Sequence, residues 1–293
     1  MLKAGEYILT NVGFSRSEEP TITLQQSDYF IDVKPLNETV TLQFDVSQRF
    51  CVGWRDMTTG ERFVCADQAE IDKKYEQCAV CQKRTGFNPA FYHADTVSKQ
   101  QETRNLEPHI VYLAHFAPGL IKIGISHAKR GRSRLLEQGA RSAMILDEFP
   151  TAHIARQYEA KIAALDGIVE VVQLRKKTHA LRLPYDIEQA DSELETTRQR
   201  IEAHTKAQFN AQGIMHLDEK YFPRLTPNLP QSHNLSDYHV LSGEVVGMLG
   251  SLLFSRQQDE ILYLPLKKYV GFRVTLSTEE TNISLPSRQT SLF

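Results

Sequence analysis

The distribution of cysteine constrains this chain more than any other feature of its sequence. All four cysteines lie within one short segment, as Cys51, Cys65, Cys78 and Cys81, and the last two form a Cys-x2-Cys pair. A structural Zn²⁺ ion takes four soft ligands in a tetrahedron, and a Cys-x2-Cys pair supplies two of them from neighbouring backbone. The spacing therefore predicts a four-cysteine structural zinc module.

The wide gap between the first two cysteines fits the same site if the chain turns back between them. Gly53 and Trp54 follow the first cysteine, and Thr59 and Gly60 precede the second, a pattern typical of a β-hairpin. Two alternatives stay open: buried apolar thiols beside an unrelated Cys-x2-Cys pair, or a redox dithiol, for which the usual βαβ surroundings are missing. A closed zinc site would be structural and not catalytic.

The residues before the cysteines alternate between apolar and polar side chains. Residues 29–33 and 40–46 follow this two-residue period and are separated by Pro35–Glu38, which predicts a strand, a turn and a strand. We therefore expect residues 1–93 to form a β-rich zinc module. Residues 94–108 are polar without periodicity and are interpreted as a linker.

The clearest succession of elements begins at His109. Apolar runs at 109–116 and 120–126, joined by a Pro-Gly turn, predict a β-hairpin. A basic segment then leads into a helix that Gly139 ends, residues 143–149 form a third strand, and Thr151 offers the N-cap of a second helix. The order is β-β-α-β-α, and we expect a separate small domain over residues 109–182.

These motifs resemble the GIY-YIG endonuclease superfamily, whose small sheet opens with a hairpin. Tyr112 matches the tyrosine of the first motif, Ile123–Gly124 match the end of the second, and Lys122 matches the lysine of a Lys-Ile-Gly branch. Arg134 matches the arginine of the next helix, and Glu159 the glutamate of a later one. The resemblance covers about a quarter of the chain. Together with the four cysteines, the pattern is also similar to an uncharacterised domain-of-unknown-function family.

The resemblance implies metal-dependent hydrolysis of phosphodiester bonds in nucleic acid. Tyr112 would assist the attacking water, with Lys122 as the cation that lowers its pKa. Arg134 would hold the phosphoryl oxygens, and Glu159 would bind Mg²⁺ or Mn²⁺ together with waters. Gln138 occupies a position where many members have a histidine.

Each of these four residues also has an ordinary structural interpretation. Tyr112 would pack on a sheet face, and Lys122 would be a solvated charge on a strand. Arg134 and Glu159 would form ion pairs within their own helices. The sequence alone leaves these alternatives open.

The charge distribution favours a polyanionic partner for the same region. Residues 109–182 contain twelve Lys or Arg and six Asp or Glu, a net charge of +6, although the whole chain carries −2. A local positive field attracts phosphate backbones without reading their sequence. The residues expected to contact nucleic acid are Lys129, Arg130, Arg132, Arg141, Arg175, Lys176 and Lys177.

The last third of the sequence completes an α+β fold class. Residues 186–207 predict a helix, and short apolar runs around glycines from 238 to 276 predict small antiparallel strands. We therefore expect residues 183–293 to form a helix and a small β module.

Three functions stay open at this point. They are a metal-dependent nuclease, a non-catalytic DNA- or RNA-binding protein on the same scaffold, and a zinc-stapled module that binds an acidic protein. The chain lacks a run of about eighteen apolar residues, and its first residues do not show a signal-peptide pattern. We therefore expect a cytoplasmic protein without membrane association. The choice between DNA and RNA and the oligomeric state stay open.

Overall fold

The computed structural model of the protein describes residues 3–87, 97–224 and 229–283, in which helices are combined with three β-sheets. This mixture confirms the predicted α+β class. The N-terminal part consists of strands, and the third begins and ends where its alternating sequence predicts. These strands are β1 Gly5–Phe14, β2 Pro20–Gln26, β3 Tyr29–Val33, β4 Thr39–Phe50, β5 Trp54–Arg55, β6 Arg62–Phe63 and β7 Glu70–Ile71.

Two short helices follow, α1 Ala79–Thr85 and α2 Lys99–Asn105. The second helix lies within the residues interpreted as a linker. It was not predicted because a polar helix lacks the regular spacing of apolar residues that indicates a helix. Ser98 begins it, because its hydroxyl accepts a hydrogen bond from the Gln101 backbone N at 3.2 Å. The expected boundary between residues 93 and 94 lies outside the described residues.

The central elements appear in the predicted order β-β-α-β-α. They are β8 His109–Ala117, β9 Leu120–His127, α3 Gly131–Gln138, β10 Ser142–Phe149 and α4 Ala152–Ala163, followed by β11 Ile168–Val169 and α5 Leu174–Ala180. Gly139 ends α3 in the left-handed conformation with φ of 74°, and the Thr151 hydroxyl caps α4. Helix α4 ends at Ala163.

The C-terminal part contains a long helix and a second set of strands. Asp186 caps the helix with hydrogen bonds from two backbone N–H groups. The elements are α6 Ile187–Thr205, β12 Met215–His216, α7 Asp218–Tyr221, β13 His233–Asn234, β14 Val240–Leu249, β15 Leu252–Gln257, β16 Glu260–Pro265 and β17 Phe272–Ser277. None of the described helices has the length and apolar composition needed to cross a membrane.

One large sheet joins strands from both ends of the chain. Its order is β13-β16-β15-β14-β4-β17-β1-β2-β3, with β7 paired to β4. Leu42 of β4 lies opposite Leu241 on one side and Leu276 on the other. Strands from the β modules expected at the two ends therefore lie in one sheet. The sequence could not show this pairing, because side-chain alternation indicates which residues face a core but not which strand lies alongside. The domain boundaries given by the sequence analysis stay predictions.

The five-stranded sheet β11-β9-β8-β10-β12 carries the central elements, and both of its faces are covered. Val111 and Leu113 lie in the core that α4 and α6 contribute to, whereas Tyr112 and Ala114 lie in the core shared with the large sheet and α3. The alternation along β8 thus places Tyr112 on the opposite face of the sheet from Val111 and Leu113. The two sheets share one continuous apolar core.

Candidate functional site

The four cysteines come together as a cluster able to hold a metal ion. Their sulfur atoms all lie within 4.8 Å of one another, and the Sγ atoms of Cys65 and Cys78 are 3.9 Å apart. A tetrahedral Zn²⁺ with bonds of about 2.3 Å places its sulfur ligands nearly this far apart. Burial raises the pKa of the Cys51 thiol to about 11, so a bound cation is what would hold it as a thiolate.

A short hairpin brings the first two cysteines together, as the sequence predicts. Strands β5 and β6 pair, and the Trp54 and Phe63 rings stack with centroids 4.1 Å apart. Gly53 has φ of 78°, and a Cβ atom there would lie 2.1 Å from the Phe63 carbonyl oxygen, so the return requires glycine. The second pair is fixed by α1, because the Cys78 sulfur accepts a hydrogen bond from the Cys81 backbone N at 3.5 Å.

A single cavity of about 660 Å³ is lined by all four residues predicted to be catalytic. Tyr112 comes from β8, Lys122 from β9, Arg134 from α3 and Glu159 from α4. Glu159 lies on the buried face of α4 together with Ala155. Residues distant in sequence therefore share one concave surface.

Gly124 explains why the Tyr112 hydroxyl has room in this cavity. The two residues lie directly opposite each other on β8 and β9. A Cβ atom at Gly124 would lie 2.6 Å from the Tyr112 Oη and 3.1 Å from the Lys122 Nζ. The glycine of the Lys-Ile-Gly triplet thus leaves the space where these two functional atoms converge.

The Tyr112 hydroxyl is buried and has no hydrogen-bond partner within the described residues. Burial raises its pKa, and the charges of Arg134 and Arg130 only partly oppose this. The main cation acting on this hydroxyl is therefore Arg134 and not Lys122, which was expected in that role. The Lys122 Nζ lies 5.9 Å from the centre of the tyrosine ring instead.

Lys122 is a nearly buried cation, with 8% of its surface exposed. Burial lowers its pKa to about 8, although the Glu159 carboxylate opposes the shift. The ammonium group donates to the Ile123 carbonyl at 3.2 Å. Lys122 can therefore gain or lose a proton close to neutral pH, unlike an exposed lysine.

Glu159 is the one carboxylate among the four residues, and 5% of its surface is exposed. Burial raises its pKa, whereas a hydrogen bond from Arg156 and the charge of Lys122 lower it. Arg156 contacts the Oε2 atom of Glu159 and also lies 3.0 Å from the Glu170 Oε1. The expected pair between Arg156 and Glu159 is thus present, and it lies in the cavity wall.

Arg134 keeps part of its donor capacity for a ligand. Its Nη1 lies 3.6 Å from the Glu137 Oε2, while its Nε is buried without a hydrogen-bond partner in the described residues. With its amide oxygen turned toward the guanidinium, Gln138 accepts from the two terminal nitrogens at 3.0 and 3.2 Å. The residue at the usual histidine position therefore orients Arg134.

The residues expected to contact nucleic acid do not form one surface. Lys129 lies 2.7 Å from Glu107, Arg132 is exposed, and Arg130 lines the cavity while paired with Glu137. Of the cations on α5, Arg175 and Lys176 are exposed beside another groove.

Two of these predicted contacts are engaged inside the protein. Arg141 donates to Asp218 at 3.1 Å and stacks over the Tyr185 ring at 3.9 Å. Lys177 donates to the Gln138 carbonyl at 2.5 Å, and burial lowers its pKa to about 8. A charge count does not distinguish such cations from solvent-facing ones.

The cavity lining also includes residues that the sequence did not indicate, among them the cations Arg55 of β5 and Arg104 of α2. Arg55 follows Cys51 by four residues, so its placement depends on how the hairpin folds. Arg104 lies in the polar segment before the hairpin at His109, and Arg55 lies among polar and charged residues between Cys51 and Cys65. Neither surrounding distinguishes these arginines from ordinary surface charges.

Fold and site together define a mixed α+β protein in which a four-cysteine cluster able to hold a metal ion adjoins a cationic cavity. A family profile described as "Protein of unknown function (DUF2797)" matches residues 37–274, and the chain belongs to this family. This confirms the similarity to an uncharacterised domain-of-unknown-function family. No curated protein and no solved structure matches the chain.

Proposed function

We propose that this protein is a metal-dependent phosphodiesterase that cleaves nucleic acid, built on a GIY-YIG-like domain. One observation carries the proposal: Tyr112, Lys122, Arg134 and Glu159 come from four different elements and line one cavity. The superfamily resemblance rests on the same residues. Buried titratable groups with shifted pKa values in a cavity are typical of catalytic sites.

Each residue has a distinct task in this proposal. Arg134 contacts the phosphoryl oxygens, where charge develops during hydrolysis. Tyr112 stays protonated at neutral pH because burial raises its pKa, so its hydroxyl orients the attacking water by hydrogen bonding. Lys122, with a pKa of about 8, accepts the proton from that water in the fraction of molecules whose amine is neutral, a fraction that grows as the pH rises toward 8.

Glu159 is the residue that would hold Mg²⁺ or Mn²⁺. A carboxylate is the ligand type these ions prefer, and waters fill most of their other positions. The contact with Arg156 uses the Oε2 atom, and no hydrogen bond from the described residues engages Oε1. A bound ion would supply charge stabilisation for the leaving and attacking oxygens.

A non-catalytic nucleic-acid-binding protein is the second candidate. The observation that favours it is the Arg156 contact, because a guanidinium beside Glu159 supplies the positive charge that a metal ion would otherwise bring. The cavity would then bind phosphate without cleaving it. A zinc-stapled module for an acidic protein and a cytoplasmic location stay predictions.

A cleavage assay with matched variants tests the proposal. The zinc-loaded protein is incubated with labelled single-stranded and duplex DNA and RNA, with Mg²⁺, with Mn²⁺ or without added divalent metal. We expect metal-dependent cleavage that falls by about a hundredfold or more in Arg134→Ala and Glu159→Gln. Arg256→Ala is the control, because Arg256 is exposed and paired with Glu244 outside the cavity.

Two outcomes would contradict this function. Cleavage that persists equally in both cavity variants would come from another site or another protein. Tight, salt-sensitive binding without cleavage in either metal would establish the second candidate instead.

A further inference from the structure

A second cleft, of about 370 Å³, continues the candidate site along the zinc module. The two concave regions share Arg55, Arg104 and Arg130 in their linings. We propose that these three arginines bind a further backbone phosphate of the same nucleic-acid strand, so that the four-cysteine module forms part of the substrate-binding surface. This inference rests on the proposed function. It adds that the protein holds a strand long enough to place a further phosphate at the three arginines.

The shared arginines come from three separate parts of the chain. Arg55 lies on β5 of the zinc hairpin, Arg104 on α2, and Arg130 immediately before α3. The boundary between the two cavities is therefore a cationic wall with contributions from both sides. A phosphate placed there would be adjacent to the cavity that contains Arg134.

The charges of the cleft are not balanced. Its three acidic residues already have partners: Asp32 with Arg62, Glu107 with Lys129 and Glu137 with Arg130. By contrast, Arg16, Arg55 and Arg104 have no carboxylate at ion-pair distance within residues 3–87, 97–224 and 229–283. The cations that line the cleft are Arg16, Arg55, Arg62, Arg104, Lys129 and Arg130. The cleft is therefore suited to an anion.

Backbone carbonyl groups orient the two unpaired arginines of the wall. The Arg55 Nε donates to the Gly60 carbonyl at 3.1 Å, and the Arg104 Nη1 donates to the Met57 carbonyl at 2.8 Å. The Met57 backbone N in turn donates to the Gln100 Oε1 at 3.1 Å, which ties α2 to the hairpin. Each guanidinium is held in place by one bond and keeps other N–H groups for a ligand.

Mutual repulsion supports the same interpretation. Burial lowers the pKa of Arg55 and of Arg104, and the neighbouring charge of Arg130 lowers both further. Gathering like charges destabilises a protein unless an anion offsets them. A phosphate between them would provide that offset.

Two neighbouring phosphate-binding regions indicate that the ligand is a nucleic-acid strand and not a single phosphate ester. Arg134 would contact the phosphate that is cleaved, and the arginine wall would contact a neighbouring one. A small phosphodiester would reach only the first region. The wall should therefore affect the affinity for oligonucleotides more than the chemical step.

The test compares Arg55→Gln and Arg104→Gln with the control Arg256→Gln, using a labelled single strand of about twelve nucleotides. Binding is measured by fluorescence anisotropy without divalent metal over a range of salt concentrations. We expect each wall variant to bind roughly tenfold more weakly and to lower the salt dependence by about one counterion. Zinc content and melting temperature should stay as in the wild type.

Cleavage kinetics separate this inference from the proposed function. For the oligonucleotide, KM should rise about tenfold in the wall variants while kcat changes little, and a p-nitrophenyl phosphodiester should be hydrolysed as by the wild type. If the wild type cleaves and the wall variants keep its affinity, salt dependence and KM, the inference fails alone. If the wild type binds without cleaving and the variants bind more weakly, the nuclease proposal fails and the phosphate-binding wall stands. If the wild type does not bind the strand, both fail.

Discussion

Replacing Lys122 by methionine should stabilise the protein at neutral pH, because the wild type keeps a charge in a nearly buried position. The pKa of Lys122 falls from an ordinary value of 10.5 to about 8. Each tenfold change in proton affinity corresponds to about 1.4 kcal/mol, so the buried charge costs about 3 kcal/mol of folding free energy. Methionine has a similar length and no charge to desolvate.

The sign of this effect fixes its pH dependence. Below pH 8 the lysine is protonated in the folded and the unfolded protein, and the whole cost is present. Between pH 8 and 10.5 the unfolded protein binds more protons, so wild-type stability rises with pH. The advantage of the Lys122→Met variant should therefore be greatest at pH 7 and largely absent by pH 10.

Urea unfolding of the zinc-loaded protein at pH 7 and at pH 10 measures this difference. Lys161→Met serves as the control, because Lys161 is exposed on α4 and its loss should change the free energy of unfolding by less than about 0.5 kcal/mol. The reasoning is refuted if Lys122→Met is no more stable than the wild type at pH 7, or if the difference does not change with pH. The same variant should lose cleavage activity. A buried charge that lowers the stability of the protein is expected to persist where function requires that residue.

Three further outcomes follow from the site. Gly124→Ala should destabilise the protein by about 1–3 kcal/mol in chemical unfolding, because the added Cβ would lie 2.6 Å from the Tyr112 hydroxyl. An unchanged free energy of unfolding would contradict this, since it would show that the Tyr112 ring can move aside. Tyr112→Phe should leave the melting temperature equal or higher, since the hydroxyl lacks a partner within the described residues, while cleavage falls by about a hundredfold in the same assay. Removing zinc with a chelator should weaken oligonucleotide binding as much as Arg55→Gln does. The reason is that Cys51 and Cys65 close the hairpin that carries Arg55. Equal anisotropy curves with and without zinc would contradict this expectation.

Local patterns in the sequence were sufficient for most elements of the central region. The β8–β9 hairpin, the end of α3 at Gly139 and the cap of α4 at Thr151 depend on neighbours a few residues away. The cysteine cluster was also predictable, because few ligand sets satisfy a tetrahedral ion. In each case the physical cause lies within the segment that shows the pattern.

The remaining features depend on partners far away in the chain. Alternation along β4 predicts a strand, but its partner strands β14 and β17 begin at Val240 and Phe272. No short-range signal in the sequence could select these partners. The burial of Glu159 depends on how α4 packs on the sheet, and the position of Arg55 depends on the folded hairpin. The candidate catalytic residues were therefore identifiable by resemblance, whereas the arginine wall required the three-dimensional arrangement.

The position of β4 between β14 and β17 has a consequence for the way the protein is made. On the ribosome, β4 emerges about two hundred residues before β14 and β17, so most of its backbone groups have no strand partner until those strands are made. The cysteine hairpin and the β8–β9 sheet contain their own contacts and can form during that interval. Closure of the large sheet comes last, and such long-range pairing is intrinsically slow. Closure of the large sheet, more than any local step, should therefore set the rate at which the newly made protein becomes resistant to proteases.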